Sequence, residues 1–234
     1  MSTSSFLFLL LIGLWLPLLA WKSSRRLGSG PIPMAPGKLF VNIIGTQLFL
    51  LILGLAVAWK NEIHLWALPR RPLASWTAAA LFFAVILTTL KLRWKVRPFE
   101  QKRRLYSMLP HNAQELRLYT LVALCAGIGE EIVYRGVFTS IIWWSTGNLI
   151  LGGVLSAIAF GLAHMIQGWR AVVTIFGIAL ISQGIVTFSG SLIPVMVVHA
   201  TYDFVAGILI PRWYVRDYGV SESIPSAVVP ATGQ

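Results

Sequence analysis

Long apolar runs separated by short polar links make up this chain: 5–21, 39–59, 76–92, 118–144, 149–166, 171–190 and 191–211. Each comes close to the roughly 17–25 residues that an α-helix needs to cross a bilayer. The alternation of apolar and polar positions expected of barrel strands does not occur in the sequence. A helix also satisfies its own backbone hydrogen bonds where no water is at hand. The pattern therefore predicts an all-α, polytopic transmembrane helical bundle of about seven spans. Only the 93–117 link is long enough to hold much structure outside the membrane.

Composition agrees with this and excludes a soluble domain: 56% of residues are hydrophobic, 12% are charged, and the mean hydropathy is +0.74. The first run has no Lys or Arg before it, and Lys22, Arg25 and Arg26 follow it. A secretory signal has the opposite order, so a retained helix is expected, with the N-terminus outside and the C-terminus inside. On that topology the inside segments 22–38, 91–117, 167–170 and 212–234 hold fifteen Lys and Arg, against three outside, Lys60, Arg70 and Arg71. This is the positive-inside pattern, and it suggests an integral protein of a prokaryotic cytoplasmic (inner) membrane. The net charge of +11 then reads as a topology signal with attraction to anionic lipid, and no nucleic-acid partner is expected. Cys125 lies in a span; without a second cysteine it forms no disulfide framework and reads as a packing residue. Most of the ten Trp fall near span ends, as interfacial anchors do.

Charge inside the spans divides the chain. Spans one to three contain no acidic residue and no histidine and read as scaffold, or as a wall for something entering from the bilayer. Glu62, His64, Glu100, His111 and Glu115 flank spans and read as solvated surface. The later spans hold Glu130, Glu131, Arg135, His164, His199 and Asp203. Ionisable groups at membrane depth are expensive and by default mark function. Glu131 and Arg135 are four residues apart and share a helix face, as do Phe160 with His164 and His199 with Asp203. Glu130 lies about 100° round the helix from Glu131, and is expected to point elsewhere, unpaired. One bundle cavity could collect the three pairs. With neutral histidines the sum is −2, which calls for a bound divalent cation, a protonated carboxyl, or protonated histidines with water access. The plain structural reading is that these charges only join helices, and it applies best to Glu131 with Arg135.

At these residues the chain resembles the CAAX protease and bacteriocin-processing family, the membrane proteases typified by the type II CAAX prenyl endopeptidase. That family carries Glu-Glu-x-x-x-Arg, Phe-x-x-x-His and His-x-x-x-Asn motifs on successive helices. Here they stand as Glu130 to Arg135, Phe160 to His164 and His199 to Asp203. The resemblance covers about residues 115–210 and implies an intramembrane endopeptidase acting on a peptide at the membrane. Its substrate would be a prenylated CAAX-like end, a sorting tail or another membrane-anchored C-terminal region. Glu130 would be the general base, His164 would help hold the water, and His199 with Asp203 would stabilise the oxyanion. Glu131, Arg135 and Phe160 would organise the site or hold substrate. Asp203 stands where Asn is the commoner residue, and an ionised carboxylate cannot donate to an oxyanion. It would have to be protonated, orient His199, or join Glu130, His164 and His199 around zinc or another divalent cation.

The resulting organisation is a 1–115 region of helices and basic loop, a 116–211 catalytic core in the C-terminal four helices, and a flexible 212–234 tail. Two rival functions remain: a catalytically silent immunity or scaffold protein of the same fold, and a proton-coupled transporter. The transporter is disfavoured because no inverted repeat appears, and Gly152, Gly153, Gly161, Gly177 and Gly184 read as close-packing positions. One mismatch stands out. Glu130 falls about 18 Å along span four, whereas His164 falls near the inner end of span five.

Overall fold

The computed structural model describes residues 2–28 and 32–219, and these residues form helices and connecting turns without strands. Five helices are long and apolar enough to cross a membrane: Thr3–Leu27, Pro36–Lys60, Pro72–Val96, Trp169–Ser189 and Ile193–Tyr218. The chain is thus an integral membrane protein, but the expected count of seven spans is not reproduced. The other two expected spans are present as helices of a different kind. The fourth is a long rod from Ala113–Glu130 through Glu131–Phe138 to Thr139–Thr146, and it carries the motif charges. The fifth, Leu149–Ala163, has only 15 residues. The last helix runs on to Tyr218 rather than ending at 211. The rest of the expected tail, from residue 220, lies outside the described residues.

Local chemistry sets the helix ends. Pro36, Pro72 and Pro194 sit in first turns, where a missing N–H is harmless. Asn112 caps the long rod by accepting from the Glu115 N–H at 2.9 Å, and Glu115 reaches back to the His111 N–H at 2.7 Å. Asn148 caps the short helix by accepting from the Leu151 N–H. Gly190 stops its helix in the left-handed region, φ +67°, a conformation that glycine adopts without a Cβ clash.

Loops gather at two ends according to charge. At one end Arg104 donates to the Gly28 carbonyl, the Ile32 N–H to Ser107 Oγ, and Trp94 Nε1 to Asp217 at 2.9 Å. There the short Phe99–Ser107 helix supplies Tyr106, whose ring stacks between His111 and Tyr214. At the other end Ser5 donates to Asn61, and the Arg70 N–H to the Ser189 carbonyl. The lysine- and arginine-rich links 22–38 and 91–117 therefore share one end of the bundle.

Small residues decide how closely the rods approach. A methyl group on Gly127 would lie 2.6 Å from the Ala200 backbone nitrogen, so the long rod and the last helix meet almost backbone to backbone. Gly152 meets the Thr139 carbonyl, Gly153 the Gln183 side chain, and Gly161 the Val172 carbonyl. Gly177 and Gly184 have nothing within 4 Å of such a methyl, so the expectation of close packing fails at those two positions.

Gly127→Ala is expected to force the two backbones apart and lower stability by about 1–3 kcal/mol, as overpacking does. Gly177→Ala, with open space around it, should leave thermal unfolding of the purified protein in detergent unchanged or slightly raised.

Candidate active site

The Glu131–Phe138 segment is a π-helix, not the α-helix that the spacing suggests, and all eight of its residues are buried. Such wide turns are rare and recur at functional sites. The Tyr134 carbonyl accepts from Thr139 Oγ1 at 3.0 Å and from Ser156 Oγ at 2.7 Å. Those hydroxyls help satisfy a carbonyl within the wide turn, where a bare backbone group would be costly.

The register of one hairpin brings the second motif to the first. Glu130 precedes Thr146 by sixteen residues, and His164 follows Leu149 by fifteen. Joined at Gly147–Asn148, the antiparallel partners carry both residues to a similar level. Phe160 is the contact between the motifs. Its ring lies edge-on to Tyr134, His164 and His199, with centroids 5.0, 4.6 and 6.1 Å away. The Arg135 guanidinium sits over its face at 4.2 Å, in cation–π range. His164 is fixed by Nδ1, 2.8 Å from the Phe160 carbonyl.

Gly127 against Ala200 brings in the third motif. His199 places Nδ1 2.8 Å from Glu131 Oε1. Its Nε2 faces Glu130 Oε2 at 3.7 Å and Asp203 Oδ2 at 3.6 Å. Glu131 Oε1 also lies 3.3 Å from Arg135 Nη1, an ion pair whose angle is off the hydrogen-bond axis. All three motifs therefore meet around one imidazole. Exposure rises from Glu131 at 1% and Glu130 at 9% to the half-buried His199 and Asp203, so the cluster is sealed at Glu131 and opens towards Asp203.

The two carboxylates do not point to separate places: both reach the His199 ring, on different nitrogens, and Glu130 is not unpaired. Gln47 of the Pro36–Lys60 helix donates Nε2 to Glu130 Oε1 at 2.5 Å, between two buried side chains. The second expected span thus reaches the first motif. The signal in the sequence was one of two amides, Asn42 and Gln47, in an apolar run, where such groups often bond between helices. Among the described residues no three His, Cys, Asp or Glu side chains stand as a ligand group for a metal. His199, common to all three carboxylates, has Nδ1 committed to Glu131. Nε2, the nitrogen left over, lies between Glu130 Oε2 and Asp203 Oδ2.

Residues 112–205 match the family model described as type II CAAX prenyl endopeptidase Rce1-like. Over that segment, less than half of the chain, the sequence is similar to that family. All three motifs of this CAAX endopeptidase-like core fall inside the matched segment, whereas Gln47 lies outside it. The sporulation-killing factor biosynthesis protein SkfC of Bacillus subtilis (strain 168) is 28% identical over 98 residues, which is 39% of this chain and 19% of that protein. The chain thus spans only about a fifth of that relative's length. No solved structure matches the chain.

Breaking a buried ion pair from one side strands the other charge, at about 3–5 kcal/mol. Arg135→Met is expected to destabilise the CAAX endopeptidase-like core by about that much. The double variant Glu131→Gln/Arg135→Met should lose less than Arg135→Met alone, since no carboxylate is then left bare. Thermal unfolding of the three proteins in the same detergent compares them.

Proposed function

We propose that this protein is a membrane-embedded endopeptidase that cuts a peptide bond in the C-terminal region of a membrane-anchored substrate, with Glu130 activating the attacking water. The observation that carries the reading is the meeting of Glu130, Glu131 and Asp203 around the single His199 ring, between the long rod and the last helix of the CAAX endopeptidase-like core.

In this reading a water sits between Glu130 Oε2 and His199 Nε2, whose 3.7 Å separation suits a bridging water. His164, with Nδ1 held by the Phe160 carbonyl, offers Nε2 to the same water. As the water oxygen bonds to the scissile carbonyl carbon, its proton passes to Glu130. The oxyanion accepts from His199 Nε2–H, and preorganised donors of this kind supply much of the barrier lowering. When the C–N bond breaks, Glu130 returns the proton to the leaving amine. Glu131 fixes the His199 ring through Nδ1, and Arg135 neutralises Glu131. Asp203 flanks Nε2 rather than Nδ1; it holds positive charge on the ring beside the oxyanion and is not its orienter. No step runs through zinc or another divalent ion.

The basic end of the bundle faces the cytoplasm in this proposal, in a prokaryotic cytoplasmic membrane, because the Lys- and Arg-rich links collect there. Substrate reaches the site from the bilayer or from that end.

The test compares membrane peptides from cells carrying the wild-type protein and cells carrying Glu130→Gln. A peptide C-terminus that appears only with the wild type supports the reading; identical peptide sets contradict it and favour a silent immunity or scaffold role. With that peptide in hand, Asp203→Asn is expected to keep cleavage within about ten-fold of wild type, because the amide also donates to an oxyanion. Treatment with a chelator should leave the rate of the reconstituted protein unchanged, and loss of activity restored by zinc would reinstate the cation.

A further inference from the structure

Gln47 belongs to no motif of the matched segment and lies on a helix that the family match does not reach. It nonetheless makes the shortest polar contact to Glu130, Nε2 to Oε1 at 2.5 Å, across the interface between the Pro36–Lys60 helix and the long rod. Both side chains are buried, at 8% and 9% exposure. A buried amide in a span is expensive unless it is paired, and this one is paired with the carboxylate assigned as general base.

The packing on either side fixes that distance. Gly129, next to Glu130, would bring a methyl within 3.5 Å of the Gln47 carbonyl and of Leu51 Cβ. One turn beyond Leu50, Gly54 faces Val133 and Ile132 so closely that a methyl would meet them at 3.1 and 3.2 Å. Gly54 is the tight position that lets the rods approach until the amide reaches the carboxylate, whereas a methyl on Gly129 would make ordinary contact. Gln47 occupies one carboxylate oxygen and leaves Oε2 facing His199 Nε2.

We propose that Gln47 is a positioning residue for the reaction: its amide pins Glu130 Oε1, so that Oε2 alone is presented to the water and to His199. This rests on Glu130 being the base, and it makes the N-terminal helices part of the site. A group that holds a reacting side chain from behind is worth on the order of 10–100-fold in activity. A ring or carboxylate that is fixed before reaction loses no time to misaligned geometry, so the effect should fall on kcat and not on KM.

The experiment uses the full-length protein in liposomes, with the peptide found by comparing wild-type and Glu130→Gln membranes. Gln47→Met keeps the length and removes the donor; kcat should fall about 10–100-fold with KM unchanged. Infrared difference spectra supply a readout independent of turnover. The carboxylate stretch that vanishes in Glu130→Gln should move in Gln47→Met, which a purely packing role for Gln47 would not cause. If Gln47→Met does not accumulate in membranes, Gln47→Asn keeps an amide in the span but withdraws the donor by one methylene, and the same kcat loss and band shift are expected. Wild-type kcat with an unmoved band in either folded variant, while Glu130→Gln is inactive, overturns the positioning role alone. Full activity in Glu130→Gln overturns the general-base reading on which it rests.

Discussion

A carboxylate sealed inside an apolar bundle needs positive charge and hydrogen-bond donors beside it, and Glu131 draws these from two helices. Arg135 comes from its own wide turn and the His199 ring from the last helix. This one shared oxygen ties the motif helix to the final span and sets the orientation of the imidazole. Phe160 closes the arrangement by stacking beneath Arg135 and touching both histidines. The rest of the site follows. With Nδ1 fixed, Nε2 must face Glu130 and Asp203, and the adjacent carboxylates acquire different surroundings.

Much of this was legible in the sequence, and for identifiable reasons. Hydropathy located the helices because a bilayer tolerates few alternatives. Four-residue spacing paired Glu131 with Arg135, and the order of three motifs pointed to the family model that residues 112–205 match. Hydropathy did not separate helices that meet the span criterion from the short Leu149–Ala163 rod, since apolar content alone hides where a helix stops. It also missed the π-helix at Glu131–Phe138, where hydroxyls of Thr139 and Ser156, the latter on another helix, help satisfy the Tyr134 carbonyl. Those contacts have no local signature. Gln47 carries no charge, so the charge pattern of the spans does not mark it.

Glycine placement connects fold and chemistry. Gly127 admits Ala200, and with it His199; Gly54 admits Val133 and Ile132, and with them the rod that carries Glu130. In a bilayer, where lipid tails are as apolar as leucine, such close approach and polar pairing replace the hydrophobic effect as the means of helix association. The site is therefore assembled by the same contacts that hold the bundle together. Glycines with nothing near them, such as Gly177 and Gly184, show that glycine content by itself says little about packing.

The central claim is that two neighbouring glutamates have separate duties, Glu131 holding the site together and Glu130 acting on the water. Its most direct test is the thermal unfolding of Glu130→Gln and Glu131→Gln side by side in the same lipid. The account predicts that Glu131→Gln unfolds at a clearly lower temperature than wild type, while Glu130→Gln stays close to it. Equal destabilisation by the two, or the reverse order, would contradict the division.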